Sequence, residues 1–372
     1  MQGNPGYNPF SKTNGRPDHH EMMRKGRSMA RHVLLETGIR RLGTKEKGFF
    51  YRYPDSGETV REEKVLERIE NLKVPPAWSD VHIARGPSAK VQAVGYDSAG
   101  RLQYVYSPKY RERKEREKFE RILRFADHLP EMRRITSEHL SHEKLDREKV
   151  LATMVRLMNA AHLRVGEERY AKKNKTYGIA TLRRKHLKIE GDTMIFEYTG
   201  KWGKFQRQCV TDRKLSEIVE ECAALPGYEV FKYIDEDGEL RDVKSRDLNA
   251  YVKEVMGSEF TAKDFRTWAG TLVAAVKLAE LGAEEDLKKA EKNVVAAVDA
   301  VAQRLGNTRA IARSSYVSPR VIDHYMEGAV VAYYTNRIEE IILAEQGELN
   351  EGEKALLELL KKKLRRELER AA

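Results

Sequence analysis

Cysteine and long apolar runs are both scarce in this 372-residue sequence. Its two cysteines, Cys209 and Cys222, are too few for a disulfide framework and lack the spacing of a metal site. No apolar run approaches the roughly 18 residues that a transmembrane helix needs. The N-terminal residues, MQGNPGYNPFSK, lack the apolar centre of a secretory signal peptide. We therefore expect a cytoplasmic protein with reduced thiols and no membrane association.

Motifs for nucleotide and metal binding are also missing. The nearest match to the phosphate-binding loop GxxxxGK[ST] is 43–48, but Phe49 and Phe50 follow where Lys and Ser or Thr are required. Asp235 and Asp237 have no third carboxylate at ligand spacing, which favours a hairpin turn over a magnesium site. The ten histidines show no HxxxH spacing. We predict no metal and no cofactor.

Positive charge is in excess. The sequence holds 69 Lys and Arg against 58 Asp and Glu, a formal net charge of +11. Duplex DNA carries about one negative charge per 1.7 Å of its axis, so this excess suits a polyanionic partner. A basic protein without a nucleic-acid partner would have the same charge, so this feature supports DNA binding without identifying any chemistry.

Changes in composition divide the chain into four regions. Residues 1–27 are rich in Gly, Pro, Asn, His and Arg and predict a flexible basic arm. Residues 28–108 favour strands, including a hairpin whose turn is Asp97–Gly100. Residues 109–130 are densely basic with helical spacing and predict a connecting helix, either against phosphates or in solvent. Residues 131–372 are mainly helical.

One β-rich segment interrupts the helical region. Residues 179–210 alternate strand-like runs with Gly-containing turns and predict a three-stranded meander. The last region ends in an amphipathic charged helix over 348–370. The predicted fold class is α+β: a small antiparallel β-sheet domain at the N-terminus, followed by a larger, mainly α-helical domain that contains the meander.

The strongest functional signal is the segment LGNTRAIARSSYVSP at 305–319. It predicts a helix that breaks at Gly306, a polar loop, and a second helix that presents Tyr316 near its end. A tyrosine close to a proline is by itself usually a packing residue. Here the pattern resembles the nucleophile segment L-G-[HN]-T…[RK]-[SA]-[SA]-Y of the poxvirus-like and bacterial type IB DNA topoisomerases. The resemblance implies that Tyr316 is the nucleophile.

Further motifs of that family occur in the same order. The resemblance implies that Arg164, in an R-x-G-x-x-x-Y segment with Tyr170, is the first catalytic arginine. Lys201 lies in a Gly-Lys turn within the meander, which in the family carries the catalytic lysine. Arg266, in a K-x-x-R segment with Lys263, resembles the second catalytic arginine. The family's fold, similar to that of tyrosine recombinases, agrees with the predicted α+β class.

The resemblance also implies residues that contact DNA. The QYVY run at 103–106 resembles the DNA-contacting strand of the family's small N-terminal domain, although half-buried residues of a sheet would alternate in the same way. Lys204 competes with Lys201 as proton donor, and Lys263 is a candidate second donor. The predicted DNA contacts are Gln103, Tyr104, Tyr106, Tyr170, Lys204 and Lys263.

The sequence departs from the family pattern at two places. Asn307 stands where poxvirus members carry histidine, although bacterial members can carry asparagine. Its amide can donate to a phosphate oxygen but cannot act as an acid or base. We therefore assign Asn307 to stabilisation of phosphate charge only. The turn reads Gly-Lys-Trp-Gly in place of the usual Gly-Lys-Ser-Gly, with Gln206 where histidine is frequent. These differences concern positioning rather than chemistry.

The residue types suit a phosphoryl transfer without metal. Arginine is always charged and donates to two phosphate oxygens, so Arg164 and Arg266 would neutralise charge at phosphorus. Lys201 would protonate the departing 5′-oxygen. A 3′-phosphotyrosyl bond to Tyr316 would retain the energy for resealing without ATP. The resemblance implies a monomeric clamp that relaxes supercoiled duplex DNA in the bacterial cytoplasm, associated with the nucleoid.

Two alternatives stay open. A tyrosine recombinase shares the Arg–Lys–Arg–Tyr set, but that class usually has HxxR where this chain has Lys263 and Arg266, and a helical N-terminal domain where this chain is β-rich. A non-catalytic DNA-binding protein with the same clamp predicts that Tyr316→Phe leaves relaxation unchanged. Relaxation of a plasmid without paired recombination sites separates the first alternative from a topoisomerase.

Overall fold

The computed structural model describes residues 33–328, 330, 349 and 351–371. The predicted basic arm, 1–27, lies outside these residues. Contacts divide the chain into two units, Met1–Glu117 and Lys118–Ala372. Over the described residues, no helix combines the length and apolarity needed to cross a bilayer.

Unit 1 is built on a five-stranded antiparallel sheet with the strand order β2-β1-β3-β4-β5. The predicted hairpin joins β4 to β5: the Asp97 carboxylate accepts hydrogen bonds from the amides of Ala99 and Arg101, and Gly100 adopts a left-handed φ of 69°. The predicted antiparallel sheet is confirmed. Its strands are β1 (Ile39–Thr44), β2 (Gly48–Arg52), β3 (Ser79–Ile83), β4 (Val91–Tyr96) and β5 (Leu102–Tyr106).

Unit 1 also contains a helix that the sequence analysis did not predict, α1 (Glu63–Asn71). Its apolar residues Val65, Leu66 and Ile69 pack in the cluster that includes Ile39 and Ile83 of the sheet. Their spacing of one and three residues is typical of a helical apolar stripe, so the signal was present. The helix was not predicted because the neighbouring aromatic runs favour strands.

Unit 2 is organised around a central helix, α7. From Ala262 to Val276 every residue of α7 except Lys263 is buried, which is typical of a core helix packed on all sides. Helices α3, α8, α9, α10 and α11 contact it. The helices after α1 are α2 (Pro108–Leu140), α3 (Arg147–Ala161), α4 (Glu168–Asn174), α5 (Arg213–Ala224), α6 (Ser245–Met256), α7 (Ala262–Leu281), α8 (Leu287–Leu305), α9 (Arg309–Tyr316), α10 (Pro319–Met326) and α11 (Glu351–Ala371).

The predicted connecting helix over 109–130 is part of the longer helix α2, and the division between the two units falls within it. From Phe119 onward the helix contributes buried residues such as Ile122 and Phe125 to unit 2. The second half of the predicted linker is therefore core rather than connector. Charged residues dominate the composition of this segment, but its apolar residues recur at intervals of three and four, which is the spacing of a buried helix face.

The predicted three-stranded meander is present as β6 (Leu187–Glu190), β7 (Thr193–Thr199) and β8 (Phe205–Thr211), in that order in the sheet. Residues 179–186, which the prediction included in the first strand, instead form two short 3-10 turns. The backbone there is engaged elsewhere, because the amides of Ile179 and Ala180 donate to the carbonyls of Arg164 and Val165, both at 2.8 Å. These two hydrogen bonds fix the backbone at Arg164.

The acidic segment at Asp235 forms a hairpin turn, as predicted. It joins β9 (Lys232–Ile234) to β10 (Leu240–Asp242), and the Asp235 carboxylate accepts hydrogen bonds from the amides of Asp237 and Glu239. That carboxylate therefore stabilises the turn.

The C-terminal helix α11, predicted over 348–370, packs on unit 2 through a leucine face and a buried ion pair. Arg133 Nη2 of α2 lies 2.8 Å and 3.0 Å from the two carboxylate oxygens of Glu353. Trp268 Nε1 of α7 donates to the same carboxylate at 3.4 Å. One glutamate therefore links α11 to both α2 and α7.

Glu353→Ala is expected to lower the free energy of unfolding by about 3–5 kcal/mol, because it removes the carboxylate that the buried Arg133 guanidinium contacts. Urea denaturation followed by circular dichroism measures the change. Glu358→Ala, an exposed position on the same helix, is the control and should change stability by less than about 0.5 kcal/mol. Equal effects of the two variants would show that the ion pair contributes nothing.

Candidate active site

Tyr316 is the last residue of α9, in the helix–loop–helix segment predicted from the sequence. Helix α8 ends before Gly306, which adopts a left-handed φ of 61°. The Thr308 side chain caps α9 by accepting a hydrogen bond from the amide of Ile311. Pro319 then begins α10. The predicted helix break, polar loop and position of the tyrosine are confirmed.

Tyr316 is held directly against α7. Its side chain is only 9% exposed, and its backbone carbonyl accepts a hydrogen bond from Thr271 Oγ1 at 3.1 Å. Gly270 allows this close approach, because a Cβ there would lie 2.7 Å from the Tyr316 carbonyl oxygen. Gly270 was not predicted from the sequence. A lone glycine in an apolar helical run disfavours the helix and usually has a packing reason, which is the signal that could have found it.

Arg266 projects from α7 toward the same tyrosine. Its side chain is buried, and its Cζ lies 5.2 Å from the centroid of the Tyr316 ring. Nη2 donates to the carbonyl of Leu305 at 2.8 Å, and Nη1 donates to the carbonyl of His162. Nε is buried and has no hydrogen-bond partner among the described residues. The guanidinium is therefore fixed through Nη1 and Nη2, and its Nε donor is unused among the described residues.

Arg164 and Asn307 contact each other across unit 2. Nη2 of Arg164 donates to the Asn307 side-chain oxygen. Because a guanidinium has no acceptor, this contact fixes which end of the amide faces Arg164. The other end, Nδ2, is buried without a partner in the part of the chain that the structure describes. The geometry thus leaves Asn307 with a donor available, as its proposed role requires.

The charges around Tyr316 favour its ionised form. Burial by itself would raise the pKa of the phenol, but the nearby charges of Arg266, Arg164 and Lys263 outweigh it, and the pKa is lowered. A second tyrosine, Tyr198 of β7, faces the same two arginines, yet burial raises its pKa to about 12. Only one of the two tyrosines is therefore prepared to lose its proton.

His162 is a buried residue that the sequence analysis left without a role. It ends α3 with a left-handed φ of 54°, and its carbonyl accepts the hydrogen bond from Arg266. Burial and the charges of Arg304 and Arg266 lower the pKa of its imidazole to about 3, so the ring is neutral at physiological pH. The neutral imidazole therefore adds no third positive charge beside Arg304 and Arg266.

The two lysines of the β7–β8 turn differ in their contacts. Lys204 Nζ donates to the backbone carbonyl of Asn307 at 3.2 Å, which connects the turn to the loop before α9. Lys201 is exposed, and its Nζ lies 5.5 Å from the centroid of the Trp202 ring. The structure therefore joins Lys204 to the Tyr316 segment by a hydrogen bond and places Lys201 on the outer surface of the same turn.

Gln206 packs the turn against the segment that leads to Tyr316. Its side chain is buried between two glycines. A Cβ on Gly200 would lie 2.8 Å from Gln206 Cγ, and one on Gly306 would lie 2.7 Å from its Nε2. Gln206 entered the sequence analysis only as a departure from the family pattern, whereas the structure gives it a packing role. The turn with Lys201 and the loop with Asn307 are neighbours because of it.

The remaining predicted contacts in unit 2 lie at its surface or partly buried. Lys263 is exposed on the first turn of α7, one helical turn before Arg266. Tyr170 is half-buried in α4, and its hydroxyl accepts a hydrogen bond from Arg169 at 3.1 Å. Their contact with DNA stays a prediction.

The predicted DNA-contacting strand is β5, at the edge of the sheet of unit 1. Tyr104 and Tyr106 stack with ring centroids 6.0 Å apart and pack on the small buried cluster that includes Leu34 and Val94. Gln103 lies on the opposite face, because side chains alternate along a strand, and it donates to Asp97 at 2.9 Å. The three residues do not share one face, so a common DNA contact would have to run along the sheet edge.

Two family models match the chain. Residues 107–339 match the family described as "Eukaryotic DNA topoisomerase I, catalytic core". Residues 48–97 match "Bacterial DNA topoisomerase IB, N-terminal domain". The second match covers β2, α1, β3 and β4, and the first begins just before α2.

Individual proteins with these names are also similar. "DNA topoisomerase 1B" of Acanthamoeba polyphaga mimivirus is 35% identical over 298 residues, which cover 78% of this chain and 88% of the viral protein. "DNA topoisomerase 1B" of Vaccinia virus (strain Copenhagen) is 24% identical over 139 residues, 36% of this chain and 44% of the viral one. "DNA topoisomerase 1" of Mycosarcoma maydis is 31% identical over 106 residues, 27% of this chain and 10% of the fungal one. The catalytic-core model spans most of the chain, and the match to the mimivirus protein covers nearly the whole of that protein. This chain therefore belongs to the type IB DNA topoisomerases, isomerases that relax DNA.

Proposed function

We propose that Tyr316 attacks a phosphodiester of duplex DNA to form a 3′-phosphotyrosyl bond. The phosphorus–O5′ bond breaks as the phosphorus–Tyr316 bond forms, the phenol loses its proton, and the 5′-oxygen gains one. Torsional strain rotates the free strand, and the 5′-hydroxyl then attacks phosphorus to reverse the step. The observation that carries this proposal is a buried tyrosine whose ring lies 5.2 Å from the Arg266 guanidinium, and the charges of Arg266 and Arg164 lower its pKa in spite of that burial.

The phosphate oxygens would be held by Arg164, Arg266 and Asn307. Arg266 Nε and Asn307 Nδ2 are buried donors without partners over the described residues. Leaving such a donor unsatisfied costs about 1–3 kcal/mol each, which a phosphate oxygen would offset on binding. Donors that are in place before the reaction stabilise charge as it develops at phosphorus. Neutral Asn307 would add a hydrogen bond but no proton transfer.

Lys201 is our choice for the group that protonates the 5′-oxygen. Lys204 is already engaged with the Asn307 carbonyl, whereas the Lys201 ammonium rests on an aromatic face at the exposed surface of the turn. The exposed position of Lys201 supports a role in which its ammonium leaves the Trp202 ring and contacts the 5′-oxygen of bound DNA. Lys263 is the next candidate, because its charge is felt at Tyr316.

We further propose that the enzyme acts as a monomer, with both units contacting the duplex as a clamp, in the bacterial cytoplasm on nucleoid DNA. The net charge of +11 supports a polyanionic substrate. The match of residues 48–97 to a bacterial N-terminal domain supports the bacterial setting. Relaxation rates that rise linearly with enzyme concentration would support a monomer, and a quadratic rise would contradict it.

The direct test is relaxation of a supercoiled plasmid in EDTA, without ATP, on DNA that lacks recombination sites. We expect complete relaxation. Detergent added during the reaction should trap protein on the 3′ end of a nick whose 5′ end is a free hydroxyl. Proteolysis and mass spectrometry should then find the nucleotide on the peptide that contains Tyr316. Attachment at another residue, or no attachment, would contradict the proposal.

A further inference from the structure

The turn between β7 and β8 presents an aromatic side chain that no role described so far explains. Trp202 is 74% exposed, although it is the largest side chain in the turn, and Phe205 beside it is 66% exposed. Two large aromatic side chains exposed in one turn favour a contact site, because exposed apolar patches mark such sites. Neither residue packs in any buried cluster of the described chain.

The backbone at Trp202 is also unusual. Its φ is 66°, in the left-handed region that L side chains rarely adopt. A glycine would adopt this conformation without strain, and the next residue, Gly203, does so. A strained tryptophan at an exposed position costs stability and buries little surface in return. Such conformations cluster at functional sites.

The chemistry of the turn matches a nucleoside better than it matches a protein surface. The Lys201 ammonium lies 5.5 Å from the indole centroid, so a cation and an aromatic face are presented together. Lys204, two residues after Trp202, adds a second positive charge. Proteins that hold nucleic acid backbones combine positive charge with aromatic side chains on which bases or sugars stack.

We propose that Trp202 is a DNA-contacting residue whose indole packs against a nucleoside next to the scissile phosphate. This rests on the proposed role of Lys201: if that ammonium reaches the 5′-oxygen, the adjacent residue, about 3.8 Å away between Cα atoms, lies in the same groove. Contact with DNA also moves the indole from water to an apolar surface and frees the ammonium from the ring. Trp202 would thus bind substrate and determine where Lys201 rests.

Intrinsic fluorescence tests the contact directly. The chain has three tryptophans. Trp268 is buried, Trp78 is half-buried in unit 1 and Trp202 is 74% exposed, so the largest change on DNA binding should come from Trp202. In a Tyr316→Phe background, which prevents cleavage, a short duplex should quench the fluorescence. Adding Trp202→Phe should remove that quenching. Persistence of the full signal in the double variant would overturn the proposal.

Affinity and rate provide the second measurement. Trp202→Gly, which suits the left-handed backbone, should weaken duplex binding roughly 5- to 100-fold, the effect of losing one stacked aromatic. Trp202→Tyr should recover most of the affinity. Tyr228→Ser removes an aromatic that is 78% exposed elsewhere in unit 2 and is the matched control, with no change expected. Unchanged affinity in Trp202→Gly would overturn the proposal.

A sulfur-substituted substrate separates this inference from the role of Lys201. A 5′-bridging sulfur leaves without needing a proton, so Lys201→Ala should cleave such DNA nearly as well as the wild type while failing on normal DNA. If this rescue fails but the Trp202 signals hold, the contact stands and the assignment of Lys201 falls. If the rescue succeeds and the Trp202 signals are absent, the contact falls and the proposed catalysis stands.

Discussion

Replacing Tyr316 with phenylalanine is expected to lower the rate of plasmid relaxation by a factor of at least about 10⁴, as loss of a covalent nucleophile does in other enzymes. The substitution removes only the phenolic oxygen. The nearby Tyr198 cannot replace it, because burial keeps the pKa of that phenol at about 12 and its hydroxyl protonated. Time courses with excess enzyme, with and without detergent trapping, measure both relaxation and the covalent intermediate.

The phenylalanine ring should keep the packing of Tyr316 against Gly270 and beneath Arg266, so folding and DNA affinity serve as internal controls. Both are expected to stay within a few-fold of the wild type, which would assign the loss to chemistry. Relaxation at wild-type rates would exclude Tyr316 as nucleophile and favour the alternative of a non-catalytic DNA-binding protein.

The second large effect is expected at Arg266. Arg266→Lys should slow cleavage on the order of a hundredfold or more. The donors of an ammonium share one nitrogen, so lysine cannot reach the carbonyls of His162 and Leu305 and a phosphate oxygen together, as the planar guanidinium can. Single-turnover cleavage of a duplex measures the rate without product release. The control is Arg134→Gln, which breaks an exposed ion pair with Glu131 on α2 and should leave the rate unchanged.

Arg266 also predicts a change in pH dependence. Its charge favours the phenolate of Tyr316, so a neutral replacement, Arg266→Gln, should raise the pKa of that phenol. If cleavage requires the phenolate, its rate increases with pH until the phenol is ionised. The rising limb of the pH–rate profile should therefore move to higher pH in Arg266→Gln, and less in Arg266→Lys, which retains a charge. A limb at the same pH in all three enzymes would contradict this role of the arginine.

Much of the fold follows from local patterns. The hairpin at Asp97, the meander turns and the break at Gly306 were predicted because each depends on a few adjacent residues with restricted backbone conformations. Helix α1 was missed because its short apolar stripe lies between strand-like runs. The turns at 179–186 were assigned to a strand because their hydrogen-bond partners, at Arg164 and Val165, lie far away in sequence.

The residues of the candidate site also fall into two groups, those predicted from the sequence and those that only the structure showed. The resemblance of ordered motifs to the type IB family selected Tyr316, Arg164 and Arg266, and their residue types suit a metal-free phosphoryl transfer, which needs a nucleophile and fixed cations. The residues that hold them were missed: Gly270 and Gln206 act through close packing, and His162 through its backbone carbonyl. None of these roles has a chemical signature in the side chain itself.

From the sequence alone follow the elements, their turns and the chemical groups available, since each depends on neighbours along the chain. Only the packing around α7 shows that a tyrosine, two arginines and an asparagine from distant segments meet. It also shows that the phenol ionises more readily in spite of burial, and that Arg266 Nε and Asn307 Nδ2 have no partner among the residues the structure describes. Distances across the fold and the loss of water set these properties, and a short sequence window contains neither.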